Sequence, residues 1–209
     1  MPKTGYISAS MAKAVLTKGR GSVLYGETFN AKAKEIGASI VGYDITFDIS
    51  SIAHVQHGLE YEAEAINAYM AYKDAKVHSM QQWQQHQEYP FGCTPDGLVD
   101  DDGMIEVKCP NSNNHLDNIM EGKQIGLYVP QMQFSMLVTG RAWCDFISYD
   151  PRAPEGLKLF VERVYRDDAK ILELVSRGKT MHDMALDYAE TLKIKMQQQK
   201  AVLAEDYGL

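Results

Sequence analysis

Asp96, Glu106 and Lys108 lie in the stretch Thr94-Pro95-Asp96-Gly97-Leu98-Val99-Asp100-Asp101-Asp102-Gly103-Met104-Ile105-Glu106-Val107-Lys108, with nine residues between the aspartate and the glutamate. Two carboxylates and an ammonium brought to one point suit a hard divalent cation, with the lysine left to handle a water or a phosphate oxygen. That is the chemistry of phosphodiester hydrolysis. The same residue types also decorate solvated hairpins, where Glu-x-Lys strands and Asp-Gly turns are common. The Pro-Asp start, the spacing and the apolar residue between Glu106 and Lys108 favour the functional reading, provided that the surrounding elements can bring the groups together.

Leu98-Val99 and Met104 to Lys108 read as two short strands around an Asp-Asp-Gly turn. Alternation sends Glu106 and Lys108 to one face and turns Ile105 and Val107 into the core, while Asp96 returns beside them just ahead of the first strand. A helix over His57 to Tyr72 carries Leu59, Ala63, Ile66 and Met70 as an apolar stripe. Glu62 sits beside that stripe, where a buried carboxylate is costly unless a metal or cation compensates; Glu60 and Glu64 are expected to face water.

Elsewhere, Ser8 or Ser10 is expected to cap a short helix through Leu16. A second helix runs from about Ser22 to Ile36 and stops at Gly37. Strands are expected at Val77 to Met80, Glu88 to Cys93, Trp143 to Tyr149 and Leu157 to Val164. The Asn-rich stretch from Pro110 to Gly126 reads as a long loop with at most a helical turn. A helix from near Pro130 to Gly140 presents Gln131, Phe134, Ser135 and Val138 on one side. The segment from about Asp167 to Leu203 is strongly helical, with a weak point at Gly178. Helices around a mostly antiparallel hairpin sheet make a mixed α/β fold.

At 209 residues the chain is long enough for one domain with its own core. No run of eighteen apolar residues and no charged-then-apolar leader is present, so the expectation is a cytoplasmic protein without a membrane span. Cys93, Cys109 and Cys144 are odd in number and unpaired in spacing, which points to reduced thiols rather than disulfides or a zinc ribbon. A net charge of -7 runs against bulk attraction to nucleic acid. Binding depends on where positive charge is focused, and Lys13, Lys18, Arg20, Lys32 and Lys34 supply local basic runs that would otherwise be solvated helix faces.

The chain resembles the lambda-type phage exonucleases, the recombination nucleases of the PD-(D/E)xK superfamily. The likeness runs from Gly5-Tyr6-Ile7-Ser8-Ala9-Ser10 to Tyr149-Asp150-Pro151-Arg152. Its most specific blocks are His57-Gly58-Leu59-Glu60-Tyr61-Glu62, Thr94-Pro95-Asp96-Gly97-Leu98, Glu106-Val107-Lys108-Cys109-Pro110 and Gln131-Met132-Gln133-Phe134-Ser135-Met136. The resemblance implies a restriction-endonuclease-like core, with a mixed central sheet flanked by helices. Residues 1–209 would form a single nuclease domain with an N-terminal helical DNA-end-binding segment and a long C-terminal helix.

For the site, the resemblance implies that Asp96 and Glu106 bind the catalytic metal together with the backbone carbonyl of Val107. Glu62 would complete a two-ion arrangement of Mg²⁺, for which Mn²⁺ is a plausible substitute. Lys108 would orient or deprotonate the attacking water with a lowered pKa, and Gln131 would hold the substrate or that water. Ser10 and Thr94 would be hydroxyl donors of a pocket for the 5′-phosphate. Lys3 stands where the family has an arginine, offering a point charge in place of a bidentate fork, which puts the strength of 5′-phosphate selection in question.

The implied activity is Mg-dependent 5′ to 3′ degradation of one strand of linear double-stranded DNA, leaving 3′ single-stranded overhangs for phage recombination. Implied partners are DNA ends, two further copies in a trimer ring, and a phage single-strand annealing protein in the bacterial host cytoplasm. A structure- or sequence-specific endonuclease on the same core, and a non-catalytic DNA-binding scaffold, are the rival readings. Other features invite blander ones. His54 and His57 lack a third soft ligand and suit capping or packing; His78, His86, His115 and His182 carry no assigned role. Trp83 and Trp143 could stack on bases, although Trp143 opens an apolar strand and suits the core. Asp100 to Asp102 lack calcium-loop spacing and form a turn. The glutamines from Gln81 to Gln87 carry no function.

Overall fold

The computed structural model describes residues 3–44 and 53–207, with side chains described over 3–44 and 60–203. Strand β6 (Gly103–Lys108) pairs antiparallel with β5 (Gly97–Val99) through the turn at 100–102, and parallel with β7 (Trp143–Tyr149). With β2 (Val77–His78) and β8 (Leu159–Tyr165) they form a five-stranded sheet of order β2-β5-β6-β7-β8. A smaller sheet has the order β1-β4-β3, from Ile7–Ser8, Phe91–Cys93 and Gln84–Gln85. The expected mixed α/β architecture holds, but β6 and β7 are parallel rather than antiparallel. Parallel neighbours need a crossover connection, and two helices supply it here.

Those helices are α4 (Ser112–Glu121) and α5 (Ile125–Thr139). Before them come a 3₁₀ turn at Ala9–Met11, then α1 (Ala12–Val15), α2 (Glu27–Ile40) and α3 (Ala53–Lys73); α6 (Asp168–Tyr207) closes the chain. Both faces of the large sheet are covered. Ile105, Val107, Ile147 and Tyr149 pack on Ala65, Ile66 and Tyr69 of α3. Leu98, Met104, Cys144 and Phe146 pack on Ile125, Met132 and Met136 of α5. The alternation read from β6 is therefore present, but Glu106 and Lys108 emerge onto a face roofed by α5, and Glu106 is only 2% exposed.

Burial on both faces obliges polar residues there to find partners. On the α3 side the carboxylate of Asp145 accepts two bonds from Arg163, at 2.7 and 2.8 Å, and one from the Tyr69 hydroxyl at 2.8 Å. The Arg163 guanidinium lies 3.5 Å from the centre of the Trp143 ring, so Trp143 belongs to the core as expected. At the end of β7, Asp150 accepts from Arg152 at 2.8 and 3.2 Å and from the Ser112 hydroxyl at 2.6 Å. Burial alone would raise its carboxyl, but these donors bring it down to about 2.

Several elements depart from the sequence expectation. The stretch read as a loop forms α4. The Asn111 side chain caps it by accepting from the Asn114 N–H at 3.0 Å, and Gly122 ends it with φ of 61°. Its inward residues are polar, which hid the period: His115 and Asn118 are buried and both meet the Ser148 hydroxyl, at 2.8 and 3.1 Å. His115 thus has a packing role. Helix α5 starts at Ile125, upstream of Pro130, because Ile125 and Leu127 bond back to the Gly122 and Gln124 carbonyls at 3.2 and 2.9 Å. Pro130 then forfeits one bond in the second turn. The expected serine cap of the first helix makes no side-chain capping bond. Asp167 does cap α6, accepting from the N–H groups of Ala169 and Lys170.

Gly37 and Gly178, expected to stop or weaken helices, lie inside α2 and α6 for a different reason. A Cβ at Gly37 would stand 2.6 Å from the Ala185 carbonyl oxygen and 2.8 Å from Tyr188 Cβ. One at Gly178 would stand 2.6 Å from the Phe91 ring. Both glycines permit close approach into the cluster of Ile7, Phe29, Phe91, Phe134, Leu174 and Met181. In an exposed helix Gly→Ala gains about 1 kcal/mol. Gly37→Ala is instead expected to lose roughly 1–3 kcal/mol by overpacking, read by denaturant titration. A neutral or stabilised variant would contradict the tight α2–α6 contact.

Candidate active site

The pairing of β5 with β6 stops at Gly97 opposite Ile105, so β6 continues beyond its neighbour. Asp96 fills the gap: its Oδ2 accepts from the Val107 N–H at 2.6 Å. The N–H and C=O of one strand residue point to the same side, so the Val107 carbonyl faces the same open edge. On the α5 face, Glu106 Oε1 accepts from Gln131 Nε2 at 2.7 Å and from Lys108 Nζ at 2.5 Å. Lys108 Nζ lies 5.1 Å over the Tyr128 ring, which stacks on Phe146 at 5.5 Å and 26°. Tyr128 and Gln131 are three apart on α5, so one helix face brings a ring to the ammonium and an amide to the carboxylate. Glu62 is half-buried on α3, and Gln81 Nε2 donates to its Oε1 at 2.6 Å.

Burial, with the charge of Glu106 next and that of Glu62 adding, pushes the Asp96 carboxyl up to about 8. Burial works to lower the Lys108 ammonium, yet the carboxylates of Glu106 and Asp96 outweigh it and hold the pKa well above the usual lysine value. Beside carboxylates that hold no cation, Lys108 is thus a charged donor that can orient a water or a phosphate oxygen; the lowered pKa is the expectation for a lysine next to a bound metal. Of the two acids expected to face water, Glu60 is exposed. Glu64 is exposed too but tied, accepting from the Tyr149 hydroxyl at 2.5 Å.

Among the described residues, no three His, Cys, Asp or Glu side chains stand close enough to enclose an ion by themselves. Each acid is instead engaged by a protein donor: Asp96 by Val107, Glu106 by Lys108 and Gln131, and Glu62 by Gln81. The donor set nonetheless fits a hard cation. It is all oxygen, it includes the buried Glu106 and the half-buried Asp96 carboxylates near one ammonium, and the Asp96 carboxyl lacks a compensating charge of its own. The side chains of His54 and His57 lie outside the described residues. All three cysteines are free thiols. Burial pushes those of Cys93 and Cys109 up to about 12, which makes them poor nucleophiles.

The residues expected around a 5′-phosphate flank the smaller sheet, outside its strands. Thr94 is exposed between β4 and Pro95. Because β1 and β4 run parallel, Ser10 leaves the sheet at the same end; its hydroxyl meets that of Ser8 at 2.8 Å. Exposed Lys3 donates to Gln85 of β3 at 2.8 Å. Sequence reasoning missed Tyr128, whose signal was its place three residues before Gln131, masked once the helix was started at Pro130. It also missed Gln81, which sits in a polar run without a period.

Residues 2–142 match the YqaJ-like viral recombinase domain. An alkaline exonuclease from Laribacter hongkongensis is 32% identical, with a TM-score of 0.82 over 94% of this chain and 95% of that one. The chain belongs to the YqaJ-like viral recombinase family. This is a family of phage-type exonucleases, and the fold is the restriction-endonuclease-like one. The same Laribacter enzyme in complex with dAMP matches at 33% identity, with equal coverage and TM-score. A phage-related exonuclease from Haemophilus somnus, 17% identical with a TM-score of 0.67 over 91% of this chain and 96% of that one, shares the fold. No curated protein matches the chain.

The crowding of Asp96 and Glu106 sets function against stability. Asp96→Asn removes one of two neighbouring carboxylates while its amide oxygen can still accept from Val107. It is expected to raise the melting temperature of the metal-free protein at neutral pH and to abolish DNA hydrolysis. A lower melting temperature, or retained hydrolysis, would show that Asp96 carries no such strain or no such role.

Proposed function

We propose that the protein is a divalent-metal-dependent exonuclease that degrades one strand of linear duplex DNA from its 5′ end, leaving 3′ overhangs for phage recombination. Membership of the exonuclease family makes it a nuclease acting on DNA. The observation that supports metal-dependent hydrolysis is the junction of Asp96, the Val107 carbonyl edge, Glu106 and Lys108 at the open end of β5, while the 5′ to 3′ direction rests on the resemblance to lambda-type exonucleases.

In this reading Asp96, Glu106 and the Val107 carbonyl hold one ion and Glu62 contributes to a second, with Mg²⁺ as the natural ion and Mn²⁺ as a substitute. Bound there, the ions supply Lewis acidity to the scissile phosphate and the attacking water. The rest belongs to the chain. With a cation held there, Glu106 would no longer need the ammonium, and Lys108 Nζ would be free to donate to a phosphate oxygen or to the water. Tyr128 backs that ammonium, and Gln131 keeps the Glu106 carboxylate in its rotamer or turns its amide to the substrate. Lys3, Ser10 and Thr94 receive the 5′-phosphate, with Lys3 binding it as a point charge. The Laribacter exonuclease forms a complex with dAMP, a mononucleotide of the kind that this reading has the protein release.

The same reading extends to the molecule's setting: one nuclease domain over the whole chain, acting in the host cytoplasm as a ring of three copies and handing the exposed strand to a phage annealing protein. A basic channel inside such a ring reconciles DNA binding with a net charge of -7. Among the described residues no helix is long and apolar enough to cross a membrane.

End dependence separates this reading from its rivals. Linear duplex with a 5′-phosphate is expected to be degraded in Mg²⁺, and closed circular duplex to survive. Duplex lacking the 5′-phosphate is expected to be degraded only a few-fold more slowly, given Lys3. Cleavage of the circle would favour an endonuclease, and binding without nucleotide release a scaffold.

A further inference from the structure

Between β2 and β3 the chain makes a turn that most side chains resist. Ser79 and Gln81 both have positive φ, 51° and 52°, and neither is glycine. Such residues are uncommon and persist only where their surroundings hold them. The Gln81 N–H donates to the Pro95 carbonyl at 3.1 Å, directly before Asp96, and Gln82 bonds back to Ser79 at 3.4 Å. The His78 ring bridges the Ser79 hydroxyl at 3.2 Å and the Asp100 carbonyl at 3.0 Å. The turn is therefore fastened to the site hairpin on both sides of β5. From this fixed base the Gln81 side chain crosses to α3 and donates to Glu62 at 2.6 Å. An ionised carboxylate is acceptor only, so the amide nitrogen is the atom that faces it.

Glu62 and Asp96 come from different elements, and Gln81 is a polar tie between Glu62 and Pro95, the residue before Asp96. We propose that Gln81 is a positioning residue that places the Glu62 carboxylate for a second divalent ion opposite Asp96 and Glu106. This rests on the metal-nuclease reading of those acids. The strained backbone is the means: with φ positive at 81, the amide reaches α3 while the main chain stays bonded to Pro95.

The test uses the full-length protein, isothermal titration with Mn²⁺, melting temperature, and kcat and KM on linear duplex. Gln81→Asn tolerates the left-handed backbone but is one methylene short of Glu62. Gln81→Gly removes the amide and relaxes the backbone, so it folds at least as well. Both are expected to weaken the weaker of two Mn²⁺ sites by roughly 10- to 100-fold, as loss of a ligand's hydrogen-bond partner does. Both should also lower kcat with KM for DNA unchanged. Ser79→Gly, which relaxes the turn but leaves the amide, is expected to bind Mn²⁺ and turn over as wild type. Wild-type Mn²⁺ affinity in the two Gln81 variants would overturn the proposal, as would an equal loss in Ser79→Gly. If the wild-type protein itself binds no Mn²⁺, the metal-nuclease reading fails first and this inference with it.

Discussion

Everything at the site depends on one mismatch of strand lengths. Strand β6 runs past the start of β5, which leaves the N–H and carbonyl of Val107 without a strand to pair with, in a sheet covered on both faces. A buried, unpaired amide is expensive, and the Asp96 carboxylate satisfies it. That single bond fixes an acid at the end of the hairpin. The next residue along β6 toward the turn, Glu106, then points up beneath α5, while Lys108 on the same face supplies an ammonium to the buried Glu106 and the half-buried Asp96. The proposed catalytic arrangement thus arises where backbone polarity must be satisfied at the end of a short strand.

The surrounding helices divide the work. Helix α5 roofs the Glu106 face and contributes Gln131 and Tyr128, while α3 covers the opposite face and contributes Glu62 from beyond the end of β5. The Asp145–Arg163–Tyr69 cluster locks α3 to β7 and β8, and the Ser148–His115–Asn118 cluster locks α4 to β7. The crossover that makes β6 and β7 parallel is held on the α4 side by the second cluster and on the α5 side by Gln133, which donates to the Tyr165 carbonyl and accepts from the Asp167 N–H. Such networks specify one arrangement when every member is satisfied.

Much of this was legible in the amino-acid sequence, and the parts that were not share a cause. Strand alternation at Ile105 to Lys108 and the helical pattern around Ile66 are short-range signals, so Asp96, Glu106, Lys108 and Glu62 could be placed on elements without coordinates, although α3 buries Ala65, Ile66 and Tyr69 and exposes Ala63 of the expected stripe. The parallel pairing of β6 with β7 was hidden because α4 buries His115 and Asn118 where an apolar stripe would be sought. Gly37 and Gly178 looked like helix breakers because what demands them, Tyr188 and Phe91, is distant in sequence. The direct Lys108–Glu106 pair, which raises the lysine's pKa where no cation is bound, also depends on a side-chain distance that the sequence does not give. Gln81 had no local signal at all.

The central claim is that the cluster at the end of β5 exchanges its lysine for divalent ions. Diffraction from crystals soaked in Mn²⁺, recorded at the manganese absorption edge, addresses it directly. The expected result is an anomalous peak among the Asp96 carboxylate, the Glu106 carboxylate and the Val107 carbonyl, with Lys108 Nζ drawn off Glu106. No peak there, with the Lys108–Glu106 pair intact at saturating Mn²⁺, would contradict it.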